Sequence, residues 1–200
     1  MSWKRGAYPE FTLEDAVATL FLLGEPTGRK TISELLNIGE GSVRTLLRRL
    51  TNLGLIRSAQ RGHSLTEKGV SLVRGITENF SEAREVHRID SYPAYAVVVR
   101  NPPEFKSIEL RDEAIRYFAK GAMILVVDEG EVVFPEDKRP LRETMPALDE
   151  DIKRMPELNE GCLVVVTWAE NPGDAMKSAY HVALALKAEV LPGEIKSIAG

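Results

Sequence analysis

The chain has 200 residues, of which 44% are apolar and 28% are charged, and its formal net charge is −4. This balance is typical of a folded globular protein and excludes an intrinsically disordered chain. No apolar run approaches the roughly 18 to 20 residues of a membrane-spanning helix, and the single cysteine, Cys162, excludes an internal disulfide and a cysteine-based zinc cage. No secretory h-region follows the first residues, so the expected location is the cytoplasm.

The charge is unevenly distributed along the chain. Residues 1–90 carry 13 Lys and Arg against 11 Asp and Glu, whereas residues 91–200 carry 13 against 19. Within residues 29–61, seven basic side chains stand against two acidic ones. We therefore expect two domains, 1–90 and 91–200, with a basic patch on the first and an acidic second domain that would repel nucleic acid.

The first 66 residues predict three helices followed by a hairpin. A first helix is expected to begin at the N-cap Thr12, and a short second helix at Thr31 or Ser33. A tight turn then leads to a third helix over about 40–53, which Gly54 ends. Two short strands over 55–66 would form the hairpin.

The third predicted helix is amphipathic and basic. The apolar residues that share one face, at the i, i+3, i+4 and i+7 spacing, are Val43, Leu46, Leu47 and Leu50. Arginines occupy the flanks and the opposite side, and no acidic residue occurs from Gly41 to Asn52. Such a helix suits the major groove of DNA. The alternative is an ordinary amphipathic helix whose charged side is solvated.

The order of these elements resembles the DNA-binding core of the prokaryotic winged helix-turn-helix transcriptional regulators. The resemblance rests on the stretch KTISELLNIGEGSVRTLLRRLTNLGLIRSAQRGHSLTEKG, in which L-x-x-L-G-L-I leads into the wing and L-T-x-K-G leaves it. It covers about residues 10–85, and the whole chain is similar to archaeal winged-helix proteins whose C-terminal domain has no assigned role. The resemblance implies that the third helix reads double-stranded DNA and that the hairpin acts as a wing.

Ten residues match DNA-contacting positions of that family. They are Lys30, Ser33, Gly41, Ser42, Arg44, Thr45, Arg48, Arg49, Arg57 and Arg61. The resemblance places those of the third helix at base edges and nearby phosphates, the wing arginines at the flanking backbone or minor groove, and those of the second helix near a phosphate. Glu40 departs from the family pattern and could accept from a cytosine amine or cap the helix. A winged helix used for protein contacts is the alternative.

A fourth, long helix is predicted from residue 66 to about residue 88. Its apolar stripe consists of Leu72, Val73, Ile76 and Phe80, with Val86 as a continuation. In regulators of the family that the chain resembles, the helix after the wing often forms a two-fold interface, so a homodimer is expected. The stripe could instead pack on the first helix or on the second domain.

Residues 91–200 predict strands that alternate with helices. The expected strands are 94–99, 122–127, 131–134 and 162–168, and the expected helices are 110–120, 148–155 and one that begins at Pro172. The first strand is continuously apolar and should be central, and Gly121 should end the first of these helices. The predicted fold class is α+β, a winged helix-turn-helix domain followed by an α/β sandwich, for which a ferredoxin-like split βαβ unit is one arrangement.

One stretch of the second domain is a candidate ligand site. Its residues, which lie where a strand ends and a helix begins, are Trp168, Glu170, Asn171, Gly173 and Asp174. Free N–H groups of the helix could bind an anion and Trp168 could stack on a ring. Against this, the two carboxylates would repel an anion, and Asn-Pro is also a good helix start.

The sequence contains no catalytic motif: no GxxxxGK[ST] loop, no GxGxxG after a strand and no GxSxG elbow. None of the three histidines, His63, His87 and His181, has a ligand at metal spacing, so neither metal nor cofactor is expected. The leading hypothesis is a DNA-binding transcriptional regulator that is not an enzyme, whose second domain binds a small-molecule effector or mediates assembly. The alternatives are an enzyme with its site in 92–200 and a protein-interaction module.

Overall fold

The computed structural model describes residues 11–199, apart from the side chains of residues 196 and 199. The helices are α1 (Leu13–Leu22), α2 (Arg29–Leu36), α3 (Glu40–Asn52), α4 (Glu67–Thr77), α5 (Ser107–Arg116), α6 (Pro146–Lys153), α7 (Pro172–Lys187) and α8 (Gly193–Ala199). The strands are β1 (Ile56–Ala59), β2 (Gly62–Leu65), β3 (Arg84–Ile89), β4 (Tyr92–Val99), β5 (Gly121–Asp128), β6 (Glu131–Val133) and β7 (Leu163–Trp168). No helix within this described part is long and apolar enough to cross a membrane.

The sequence predicted the start of the first helix correctly but not that of the second. Thr12 caps α1 as expected: its hydroxyl accepts from the Asp15 amide, and its own amide donates to the Asp15 carboxylate at 2.8 Å. α2, by contrast, starts after Gly28, which has no side chain to cap it. Thr31 and Ser33 therefore lie inside α2, and the prediction that one of them caps it is wrong.

The hairpin of β1 and β2 carries a third strand position that the sequence did not predict. The two strands pair antiparallel around the turn Gln60-Arg61, within one residue of the expected bounds. Thr27 and His63 also exchange both backbone hydrogen bonds, with N–O distances of 3.0 and 2.9 Å. This approach requires a glycine beside it, because a Cβ on Gly62 would lie 2.2 Å from the Thr27 carbonyl oxygen.

The long helix predicted over about 66–88 is wrong in its second half. α4 ends at Thr77, and residues 84–89 form β3, which pairs antiparallel with β4. A register shift between Val86 and Ile89 places both side chains in the same core although they are three residues apart. This spacing imitates the period of a helix, which explains the wrong prediction.

The second half is built on a five-stranded antiparallel sheet in the order β3-β4-β7-β5-β6. β4 is an interior strand, between β3 and β7, and it is buried on both faces as predicted. Val97 and Val99 face one core, and Ala96 and Val98 face the other. β4 and β5 both pair antiparallel with β7 between them, so they are parallel to each other and α5 connects them. This is a split βαβ unit, but a ferredoxin-type order would insert β6, not β7.

Two ends of helices also differ from the prediction. α5 stops at Arg116, and the left-handed residue that follows is Phe118, with φ of 71°, so Gly121 is not its cap. The last helix, α8, was not predicted, yet its Ile195 and Ile198 are completely buried or nearly so. α8 packs against α1, the first of the described helices.

The sheet separates two hydrophobic cores. α6 and the 3₁₀ helix Leu141–Glu143 cover one face, whereas α5 and α7 cover the other. The second of these cores continues without a break into α1, α2 and α3. α7 therefore packs on the sheet with one side and on α1 and α2 with the other.

Candidate nucleic-acid interface

Helix α3 buries an apolar face and exposes a basic one. Val43, Leu46 and Leu50 are completely buried, as the sequence predicted. Arg44 and Arg48 are exposed, one helical turn apart. Neither arginine has an ion pair or hydrogen bond to another residue between 11 and 199. Both guanidinium groups are therefore available to an external anion.

The hairpin next to α3 carries two further exposed arginines, Arg57 on β1 and Arg61 in the turn. Within the described residues these two also lack an acidic partner. Arg57 lines an open groove of about 440 Å³ together with Arg74 of α4, and Glu67 lines the same groove. The sequence analysis missed Arg74, because it considered only the apolar stripe of the fourth helix.

Two of the predicted contact residues are used inside the fold instead. Ser42 is only 6% exposed. Arg49 Nη2 donates to the carbonyl oxygen of Ser197 in α8 at 2.7 Å. Ser42 is thus buried, and Arg49, which is partly exposed, contacts α8.

The remaining predicted positions lie around the start of α3 and on α2. Gly41 is exposed and Thr45 partly so. Lys30 is exposed, with its ammonium 3.8 Å from Glu34. The Ser33 hydroxyl donates to a backbone carbonyl in the turn before α3, at 2.6 Å, and thereby fixes that turn. Of these residues, Lys30 is the one that adds a cation to the surface.

Glu40 is neither a cap nor a free acid. It is the first residue of α3, whose N-cap is Gly39, so the capping role considered for it is wrong. Its carboxylate lies 3.3 Å from Arg29 Nε, with both side chains about half exposed. The pair connects the beginnings of α2 and α3 and leaves Arg44 and Arg48 without a nearby acidic partner.

The basic residues of the second half are in a different situation. Ten of those between residues 91 and 199 form ion pairs with acidic side chains: Lys106, Arg111, Arg116, Lys120, Lys138, Arg139, Arg142, Lys153, Arg154 and Lys177. Positive charge that is not locally neutralised is thus concentrated on α3, the hairpin and α4. This distribution follows the charge asymmetry of the sequence.

Residues of the stretch predicted to bind a ligand contact one another and other parts of the fold. The Asn171 side chain accepts from the Asp174 amide at 2.9 Å and caps α7. Gly173 abuts the C-terminal end of α2, so that a Cβ there would lie 2.7 Å from the Leu36 carbonyl. Glu170 pairs with Lys120 at 2.8 Å. The five residues lie together around the start of α7, and the end of α2 packs against this start at Gly173.

Two protein-family profiles match this chain. Residues 12–71 match the family profile described as the PH0730-like N-terminal domain, and residues 91–186 match a domain of unknown function, DUF4443. A search of curated proteins gives no match.

A solved structure resembles almost the whole chain. It is the hypothetical protein PH0730 from Pyrococcus horikoshii OT3, an archaeon, with 53% sequence identity and a TM-score of 0.88. The match covers 94% of this chain and 100% of that one. The chain therefore belongs to the PH0730 family.

Proposed function

We propose that the chain is a DNA-binding transcriptional regulator, in which α3 enters the major groove of double-stranded DNA and the β1–β2 hairpin is a wing. The observation that carries the proposal is the set of four exposed arginines, Arg44, Arg48, Arg57 and Arg61, that lack acidic partners within residues 11–199. Guanidinium groups in this state can release counterions from phosphates and bond to guanine edges.

The arrangement of the elements supports this proposal. A strand position at Thr27 lies between α1 and α2, and β1 and β2 follow α3. This is the order of helices and strands that a winged helix would have. The apolar face of α3 is anchored in the core, while Arg44 and Arg48 face outward. Arg74 beside Arg57 adds a cation with which the wing side could bind a flanking phosphate.

A regulator of this kind would bind as a homodimer to two half-sites roughly 34 to 36 Å apart. The helix that was expected to provide the two-fold interface is shorter than predicted, because α4 ends at Thr77. The second half would bind an effector, for which residues 168–174 are the candidate site, or mediate assembly. These parts of the proposal rest on the resemblance to winged-helix regulators.

The test is selection of genomic DNA fragments by the purified full-length chain at low salt, followed by fluorescence anisotropy on a selected fragment. Arg44→Ala and Arg48→Ala should each weaken specific binding by about 1–3 kcal/mol, if the arginine is bidentate to a base. Arg154→Ala is the control, since Arg154 is an exposed arginine directly after α6 with side-chain exposure of 72%. If no fragment is retained, or if all three variants bind alike, the proposal fails.

A further inference from the structure

A cluster of polar side chains joins the N-terminal helices to the second half. His181 of α7 is its centre. Its Nδ1 lies 2.8 Å from a carboxylate oxygen of Glu14 on α1, and its Nε2 lies 3.5 Å from a carboxylate oxygen of Glu113 on α5. The ring stacks on Tyr117, with centroids 4.4 Å apart and planes at 8°. One imidazole therefore connects three helices.

The geometry favours a charged imidazole. Each ring nitrogen faces a carboxylate, and only the protonated form has an N–H to donate on both sides. The His181 side chain is 27% exposed, so its proton can exchange with solvent. The Tyr117 hydroxyl donates to the second oxygen of Glu14 at 2.8 Å, and this bond holds that carboxylate in place between tyrosine and histidine.

The other charged groups around the ring are already matched. Lys177 on α7 pairs with Asp15 on α1 at 3.1 Å and lies 3.7 Å from Asp174. Arg116 pairs with the Glu113 oxygen that His181 does not face, at 2.6 Å. When His181 loses its proton, Glu14 loses its cationic partner, and no other basic group contacts its carboxylate within the described residues.

We propose that His181, Glu14 and Glu113 form a proton-dependent latch that holds α1, and with it the N-terminal helices, against α5 and α7. With His181 protonated, α1 is held by a charge-assisted hydrogen bond at a half-buried site. With His181 neutral, at most one of the two carboxylates receives a hydrogen bond from the ring, and the seam between α1 and α7 opens more often. The latch acts on the free protein and does not depend on DNA binding.

The directions of the pKa shifts define the pH window. The hydrogen bond to Glu14 raises the pKa of His181, whereas burial opposes the rise. Burial favours neutral Glu14, but its hydrogen bonds, first among them the one with His181, bring its pKa below the usual value. The latch is thus fully closed between the ordinary carboxyl pKa of about 4.3 and the ordinary histidine pKa of about 6.5. It weakens as pH rises through the raised pKa of His181, and also as pH falls through the lowered pKa of Glu14.

The experiment combines a histidine titration by NMR with hydrogen exchange of the α1 amides in the full-length chain. We expect His181 to titrate above the ordinary histidine pKa. Exchange protection of α1, corrected for the intrinsic pH dependence of the rates, should fall across the same titration in the wild type. In His181→Gln it should be low and independent of pH over that range, while His87→Gln should behave as the wild type.

A second variant separates the latch from a general loss of folding. Glu113→Gln changes a half-exposed residue and removes one of the two carboxylates, so the pKa of His181 should fall by a measurable fraction of a unit while the fold is kept. If His181 titrates at its ordinary pKa, or if the protection of α1 does not follow its titration, the latch is refuted. If His181→Gln does not fold, the response of the His181 pKa to Glu113→Gln decides between the two outcomes.

Discussion

The ammonium of Lys177 on α7 lies 3.1 Å from a carboxylate oxygen of Asp15 on α1, and both side chains are more than nine-tenths buried. A buried charge that loses its partner costs far more than an exposed one, because water cannot replace the partner. Lys177→Met should therefore lower the free energy of unfolding by about 3–5 kcal/mol. Differential scanning calorimetry should show a lower Tm, by about 2–4 °C for each kcal/mol.

The control for this prediction is another lysine in an ion pair. Lys30 and Glu34 are 3.8 Å apart with exposed side chains, at 81% and 65%. Lys30→Met should change the free energy of unfolding by less than about 0.5 kcal/mol, since exposed i,i+4 pairs contribute little. Equal Tm shifts for the two variants would contradict the view that α1 and α7 share a buried ion pair.

Gly173 is expected to tolerate no side chain. A Cβ at this position would lie 2.7 Å from the Leu36 carbonyl carbon and oxygen, and both belong to backbone that cannot rotate away. Gly173→Ala should push α2 away from α7 and cost about 1–3 kcal/mol, measured by urea unfolding. Gly41→Ala is the matched helical control: a Cβ there meets nothing within 4 Å, so this variant should gain about 0.4–1 kcal/mol. If Gly173→Ala is as stable as the wild type, the close contact between α2 and α7 at this position is contradicted.

Tyr180 should make the protein sensitive to alkali. Its buried hydroxyl accepts from the Ala83 amide at 2.9 Å, and burial raises the pKa of the phenol. The native state thus disfavours the phenolate, and its stability should be full below the ordinary tyrosine pKa of about 10 and fall above it. Tyr180→Phe keeps the stacking on Phe21 but loses one hydrogen bond, so it should cost about 1 kcal/mol at pH 8.

The measurement for Tyr180 is the urea midpoint at pH 8 and at pH 10.5. The wild-type midpoint should drop between the two, and the drop should be smaller in Tyr180→Phe, because this variant has no phenol at position 180 to ionise. An equal drop in both proteins would assign the alkaline loss to other groups.

The salt dependence of DNA binding provides a further prediction. If the exposed arginines of α3 and the hairpin meet phosphates, the logarithm of the binding constant should fall linearly with that of the salt concentration. Removing a phosphate contact, as in Arg57→Ala or Arg61→Ala, should reduce the slope by about 1 and weaken binding equally for all sequences. Arg49→Ala should leave the slope unchanged, because Arg49 is bound to α8. A lower slope for Arg49→Ala would reverse this assignment.

The sequence predicted most of the elements whose period was unambiguous. α3 was predicted because its apolar residues repeat at helical spacing over two turns, and β4 because six consecutive apolar residues, 94–99, are not typical of a one-sided strand. β3 was lost because its bulge gives Val86 and Ile89 a three-residue spacing. α8 is a helix of 7 residues with no strong local signal, and tertiary packing of Ile195 and Ile198 stabilises it.

The candidate surface was only partly predictable, for a different reason. A helical wheel separates the buried side of α3 from the rest, and so it correctly selected Arg44 and Arg48 as outward residues. It cannot show that a neighbouring element covers part of the polar side. Arg49 donates a hydrogen bond to the carbonyl oxygen of Ser197, which lies 148 residues further along the chain. A contact between residues so far apart in sequence is visible only in the folded structure. The latch residues Glu14, Glu113 and His181 are likewise distant in sequence.

The continuity of the core across α7 has a consequence for how the protein can evolve and be dissected. A domain that carries a complete core of its own can be joined to many partners. Here α7 completes the inner surfaces of α1 and α2, and α8 packs against α1 as well. A fragment that ends near residue 80 should therefore not fold, and the intact chain should unfold in one calorimetric transition. The two halves would then be inherited together as a unit and not exchanged separately.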